Sequence, residues 1–146
     1  MHDPHVLLRV VSKFLIPLIA LFALYVQFHG DYGPGGGFQA GVILASSVIL
    51  YALIFGLPAA KLAFPPRWIR IGMTLGVLLY GGTGVFSFIL GGEFLNYGVF
   101  AHDPSHGQHY GILAVELGVL CTVASVMVAI FYAFGSRQAE TSNEDW

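Results

Sequence analysis

Four apolar runs, each long enough to cross a lipid bilayer, constrain this chain more than any other feature of its sequence. They cover residues 6–28, 38–57, 69–90 and 110–134. A helix needs about 20 residues to span the hydrocarbon core. Only 10% of the residues are charged, against roughly 25% in soluble domains. The sequence therefore predicts an all-α integral membrane protein with four transmembrane helices. The first run is longer than the apolar core of a signal peptide, so we expect it to be retained.

The basic residues predict how these helices are oriented. All six lie near the start of the first run, around the connection between the second and third runs, or after the fourth: Arg9, Lys13, Lys61, Arg67, Arg70 and Arg137. Cytoplasmic loops carry the excess of Lys and Arg in membrane proteins. The distribution therefore predicts two helical hairpins with both termini in the cytoplasm. Residues 1–135 would form the transmembrane domain, followed by a polar cytoplasmic tail, 136–146, that is disordered or serves as a docking segment.

Small residues recur at helical spacing within the last three runs, and we expect them to pack helix against helix. They are Gly37 just before the second run with Gly41, Ala45, Ala52 and Gly56 within it, Gly72 and Gly76 in the third, and Ala114, Gly118, Thr122, Ser125 and Ala129 in the fourth.

The connection between the first two predicted helices is rich in glycine. Pro34, Gly35, Gly36 and Gly37 follow one another, and Gln39 comes shortly after them. Glycine spacing here matches a relaxed dinucleotide-binding pattern, but membrane spans flank it where a strand and a crossover helix are required. What remains is a glycine turn that opens into a helix N-terminus. Its free amides could bind an anion or cap a carboxylate, or the turn could simply let helices approach closely.

Glu116 is a carboxylate within the fourth predicted helix, roughly 9 Å below its outer end. Since a charge at the bilayer centre costs about 2.5–3.5 kcal/mol on insertion scales, Glu116 is a candidate proton-exchanging group. A structural hydrogen bond to a neighbour is the alternative. Glu116 lies nearly opposite the small residues of its helix, so we expect it to point outward, towards a hydrated cavity or a partner subunit. Glu93 and Asp31, in or near the outer connections, are candidates for the same ion path.

Histidines near the start of the fourth run do not predict a metal site. His102, His106 and His109 are close in sequence, but we expect Pro104 and Gly107 to keep a helix from presenting them on one face. No nucleophile and base are paired in the sequence, so we expect no enzyme activity. Nor do we expect a cofactor, a bound metal or a nucleic-acid partner.

Several segments, taken in order, resemble those of the MrpB/MnhB family, the small membrane subunits of Mrp-type multisubunit cation/proton antiporters. They are Phe28-His-Gly-Asp-Tyr-Gly-Pro-Gly-Gly-Gly-Phe-Gln-Ala-Gly-Val42, Gly81-Gly-Thr-Gly84, Gly91-Gly-Glu-Phe-Leu95, Glu116-Leu-Gly-Val119 and Thr122-Val-Ala-Ser-Val-Met127. The resemblance implies a four-span component of a cell-membrane complex that exchanges cytoplasmic sodium for external protons. Its partners would be the other membrane subunits and the lipid bilayer. Similar small subunits occur in membrane-bound hydrogenase-type complexes.

Two functions remain open from the sequence. The chain could be an accessory transport subunit, with Glu116, Glu93 and Asp31 near an ion path that the glycine turn shapes. Alternatively, it could be a purely structural scaffold that positions its neighbours, including in a redox-driven complex related to the hydrogenases.

Overall fold

The computed structural model describes residues 6–30, 34–100 and 104–144, and nearly all of the long apolar runs are helical. The helices are α1 (Val6–His29), α2 (Gly37–Phe55), α3 (Leu57–Ala63), α4 (Pro66–Ile89) and α5 (Pro104–Glu144), with a short 3-10 helix at Tyr97–Phe100.

Four helical segments are long and apolar enough to cross a membrane, as the sequence predicts. They are Val6–His29, Gly37–Phe55, Pro66–Ile89 and Gly107–Arg137. Helix α2 ends at Phe55 because Gly56 follows with a φ of 92°. Residues other than glycine rarely adopt this backbone conformation. The seven-residue helix α3 was not predicted. Helix α4 begins with a proline. Proline has no amide hydrogen, but an amide in the first turn of a helix would have no partner within the helix, so no hydrogen bond is lost.

Helix α5 is longer than predicted at both ends. It begins at Pro104, so His106 and His109 lie within a helix, whereas His102 lies outside the described residues. Proline fits the first turn of a helix, and one glycine lowers helix stability without ending it. At the other end α5 continues to Glu144, so residues 136–144 are helical and not disordered, while a docking role for this tail stays a prediction. Extending an existing helix is far easier than starting one.

Helix α5 lies between α2 and α4, while α1 packs mainly on α2. Close contacts place Gly72 against Ser125, and Gly76 against Gly118 and Thr122, so α4 and α5 are antiparallel. These contacts confirm the predicted role of the small residues in helix packing between α4 and α5.

The interfaces are built largely from alanine, glycine and serine, and many large apolar side chains face outward. Ala23, Ala40 and Ala60 are completely buried, whereas Leu7, Phe14 and Leu53 are each at least 66% exposed. Lipid solvates apolar side chains, so association between membrane helices depends on close backbone contact. The outer faces are therefore suited to lipid or to other membrane subunits.

Candidate functional site

The carboxylate of Glu116 lies against the end of α1 and against the glycine turn, which we define as Pro34, Gly35, Gly36 and Gly37. A Cβ atom built on Gly30 would lie 2.9 Å from Glu116 Oε1 and 3.1 Å from Oε2. One built on Gly36 would lie 3.3 Å from Oε1. The two features that stand out in the sequence, far apart along the chain, thus form one site.

Glu116 does not face away from the helices of its own chain, so that expectation was wrong. A Cβ atom on Gly37 would overlap the carbonyl oxygen of Glu116 and lie 3.1 Å from its Cα atom. One turn further along, Gly41 contacts Leu120 and Val123, which share the face of Glu116. Helix α5 buries two faces, because α2 and α4 lie on different sides of it. Glu116 is half-buried on the α2 side, where its own chain covers part of the residue.

The backbone of the turn supplies a polar surface to this carboxylate. Helix α2 begins at Gly37, and its N-cap residue Gly36 makes no side-chain capping bond. The Gly36 amide donates to the Val26 carbonyl oxygen at 3.4 Å, which joins the turn to α1. Amides in the first turn of a helix carry positive partial charge, and a nearby carboxylate is stabilised by them. Glu116 is therefore subject to two opposing effects, since burial disfavours its charge and the helix end favours it.

The turn requires glycine because there is no room for a side chain beside the backbone of α1. A Cβ atom on Gly35 would lie 2.6 Å from the Val26 carbonyl oxygen and 3.1 Å from the Gly30 nitrogen. The turn therefore packs directly on the backbone of α1. Pro34 and Gln39 are exposed, so they belong to the rim of the site.

The other two acidic candidates differ from Glu116. Glu93 is exposed on the connection after α4, where its carbonyl oxygen accepts from the Asn96 amide at 2.9 Å and from Ser87 Oγ at 3.3 Å. This connection is on the α4 side of α5, whereas Glu116 is on the α2 side. Asp31 lies outside the described residues.

The connection before α5 is held by an aromatic contact. The ring of Tyr97 packs on Gly111 of α5. Burial raises the pKa of the Tyr97 phenol above its ordinary value, and the neighbouring Tyr80 raises it further. Tyr97 therefore stays neutral at physiological pH and serves to pack this end of α5.

Gln27 is a buried polar residue in the last turn of α1, close in sequence to Gly30, that the sequence interpretation missed. It is 1% exposed, and within the described part of the chain neither its Nε2 nor its Oε1 atom has a hydrogen-bond partner. The available signal was an amide side chain near the end of an otherwise apolar run.

Comparison with known proteins agrees with this architecture. A family described as "Domain related to MnhB subunit of Na+/H+ antiporter" matches residues 7–129. A protein of Staphylococcus haemolyticus (strain JCSC1435) named "Putative antiporter subunit mnhB2" is 32% identical over 95% of this chain and 100% of its own length. A protein of the same name from Staphylococcus aureus (strain Newman) is 34% identical over the same shares. The chain belongs to the MnhB family.

Membership of the MnhB family confirms the resemblance seen in the sequence. The chain is accordingly a subunit of a Na+/H+ antiporter and a multi-pass membrane protein. The matched residues 7–129 include Gln27, the glycine turn and Glu116. The site thus lies wholly within the part of the chain that defines the MnhB family, whereas the last turns of α5 lie beyond it.

Proposed function

We propose that this chain is an accessory subunit of a multisubunit Na+/H+ antiporter complex, and that Glu116 takes part in an ion path near its outer side. Family membership supports the complex, and the contact between Glu116 and the glycine turn supports the ion path. Sodium ions and protons would be carried by the assembled complex. The partners of this chain would be the other membrane subunits and lipid.

The proposed topology is two helical hairpins in the cell membrane with both termini in the cytoplasm. The distribution of Lys and Arg supports it. Lys61 of α3 also donates to Ser136 Oγ of α5 at 2.6 Å, which brings the basic segment before α4 to the end of the fourth membrane span, near Arg137. In this topology the glycine turn and Glu116 lie towards the outer surface.

Glu116 is suited to exchange a proton or to hold a cation briefly. Its carboxylate is half-buried, so it is neither fully solvated nor sealed in the helix interface. The N-terminus of α2 stabilises the charged form, which reduces the cost of losing the proton. A carboxyl group that is partly exposed and whose charge a helix N-terminus stabilises can take up and release a proton during a transport cycle.

A scaffold role is the second candidate, and the outward faces of the helices favour it. Helix α1 packs mainly on α2, and its Leu7 and Phe14 are 75% and 71% exposed. Such a surface offers neighbouring membrane subunits a large contact area. On this alternative the chain would position its neighbours without handling ions, including in a related redox-driven complex.

The substitution Glu116→Gln separates the two functions, because it keeps the shape of the side chain and removes its charge. We expect the assembled complex to lose sodium-dependent proton transport severalfold in sealed vesicles. Glu93→Gln is the matched control, since it removes an exposed carboxylate on the other side of α5, and we expect its transport to be close to normal. Co-purification of the other subunits measures assembly for both variants.

Normal transport by an assembled Glu116→Gln complex would contradict a role for this residue in the ion path. Loss of assembly in Glu116→Gln, with normal assembly in Glu93→Gln, would instead support the scaffold role.

A further inference from the structure

Gln27 buries an amide whose hydrogen-bonding capacity is unused by the described residues. Both its Nε2 donor and its Oε1 acceptor lack a partner there, and the residue is 1% exposed. Burying a polar group without a hydrogen bond costs free energy, and buried amides in folded proteins are therefore almost always paired. The amide calls for a small polar ligand.

The position of Gln27 connects it with the Glu116 site. Gln27 lies in the last turn of α1 and precedes Gly30, the first residue after this helix, by three residues, a rise of about 4.5 Å if the helix continued. Gly30 contacts both oxygens of the Glu116 carboxylate. Val26, next to Gln27, packs with Ala40 of α2 and Leu120 of α5. Gln27 thus lies about one helical turn below the carboxylate, close to where α1, α2 and α5 meet.

The chemistry of this amide, which no described residue bonds, indicates the class of ligand. A metal cation would satisfy Oε1 but leave the Nε2 donor unpaired, and an anion would do the reverse. Water donates and accepts, so it satisfies both atoms. A lipid or a side chain of another subunit has no access, because the residue is buried within its own chain.

We propose that ordered water binds at Gln27 and bridges its amide to the Glu116 carboxylate. Gln27 is then a positioning residue, which holds water where Glu116 can exchange a proton with it. The role of this water in proton exchange rests on the proposed function of Glu116, whereas the water site itself does not.

Electron cryo-microscopy of the assembled wild-type complex, at a resolution that shows water, tests the site directly. We expect density within hydrogen-bonding distance of Gln27 Nε2 or Oε1 that continues to the Glu116 carboxylate. Absence of such density would overturn the proposal. So would an ion held by oxygen atoms alone, or a protein side chain bonded to the amide.

Infrared spectroscopy of the same complex tests the link to Glu116. The band of the Glu116 carboxyl group is identified by its loss in Glu116→Gln. We expect Gln27→Met, which keeps a long unbranched side chain, to shift that band. Ser12→Ala is the control because it removes another buried polar group of α1, about four turns away, and we expect it to leave the band in place. An unshifted band in Gln27→Met would overturn the bridge.

The two proposals fail in different ways. Normal transport by Glu116→Gln, together with bridging water density, removes the ion-path role and keeps the water site. Reduced transport by Glu116→Gln without that density removes the water site and keeps the ion path. If Gln27→Met does not assemble, the wild-type density alone decides.

Discussion

Gly36 holds the backbone of the turn in a conformation that glycine adopts almost alone. Its φ of 127° and ψ of 169° fall in a region that side chains with a Cβ atom avoid. The same residue is the N-cap of α2 and contacts Glu116. A single position therefore determines how α2 begins and how closely the acid approaches it.

We expect Gly36→Ala to destabilise the protein by about 1–3 kcal/mol, the usual cost of such a backbone conformation. The temperature at which the purified complex dissociates measures this. Gly81→Ala is the control, because a Cβ atom at Gly81 meets no other atom within 4 Å. Equal dissociation temperatures for the two variants would show that the backbone conformation of the turn is not needed.

The sequence identifies the members of the site more readily than their contact. Glu116 and the glycine turn are each unusual in a membrane chain, so each is visible from the sequence. Their contact depends on the rotation of α5 about its axis. The small residues of α5 indicate one packed face, but nothing in the pattern reveals that a second face also packs. Gln27 was missed because one amide near the end of a span changes its hydropathy little.

At the scale of elements, the contact between α4 and α5 depends on glycine and hydroxyl residues. A Cβ atom on Gly76 would lie 2.6 Å from the Gly118 carbonyl oxygen and 2.7 Å from the Thr122 nitrogen. These are backbone atoms, which cannot move aside as the end of a flexible side chain can. The separation of the two helices is therefore fixed at this level.

We expect Gly76→Ala to force α4 and α5 apart and to destabilise the protein by about 1–3 kcal/mol, as overpacking usually does. Gly82→Ala, in the same helix, meets nothing within 4 Å. It should be neutral or stabilising by up to about 1 kcal/mol, since alanine is the better helix former. Thermal denaturation of the purified complexes compares them. A Gly82→Ala variant less stable than Gly76→Ala would contradict the described packing of these helices.

The elements themselves were largely predictable, because length and hydropathy alone select the four spans. The errors in the predicted helices concern segments that are too short or too polar to be recognised by length and hydropathy. Helix α3 is too short to give a periodic pattern, and proline at its start indicated only a break. From its composition the polar end of α5 was predicted to be disordered or a docking segment. A helix that has already formed can nevertheless extend into polar residues, because adding a residue to a helix is easier than starting one.

At the scale of the whole molecule, the proposed orientation predicts which exposed positions can be labelled from outside. Cys121 is the single cysteine, so Cys121→Ser gives a background without thiols. In that background we expect Pro34→Cys, at the exposed turn, to react in intact cells with a thiol reagent that cannot cross the membrane. Leu62→Cys, at a position that is 84% exposed on α3, should react only after the cells are permeabilised.

The reverse pattern of labelling would contradict the proposed placement of both termini in the cytoplasm. Labelling in permeabilised cells serves as the internal control, because it shows that each introduced thiol can be reached in the assembled complex.

The fit between Glu116 and the turn also bears on how the sequence can vary. Space for the acid exists because positions 30, 36 and 37 carry no side chain. Enlarging any of them displaces the carboxylate or the backbone beneath it, and shortening residue 116 leaves a gap at the turn. We therefore expect a change at one of the four positions to alter which residues the other three can accept.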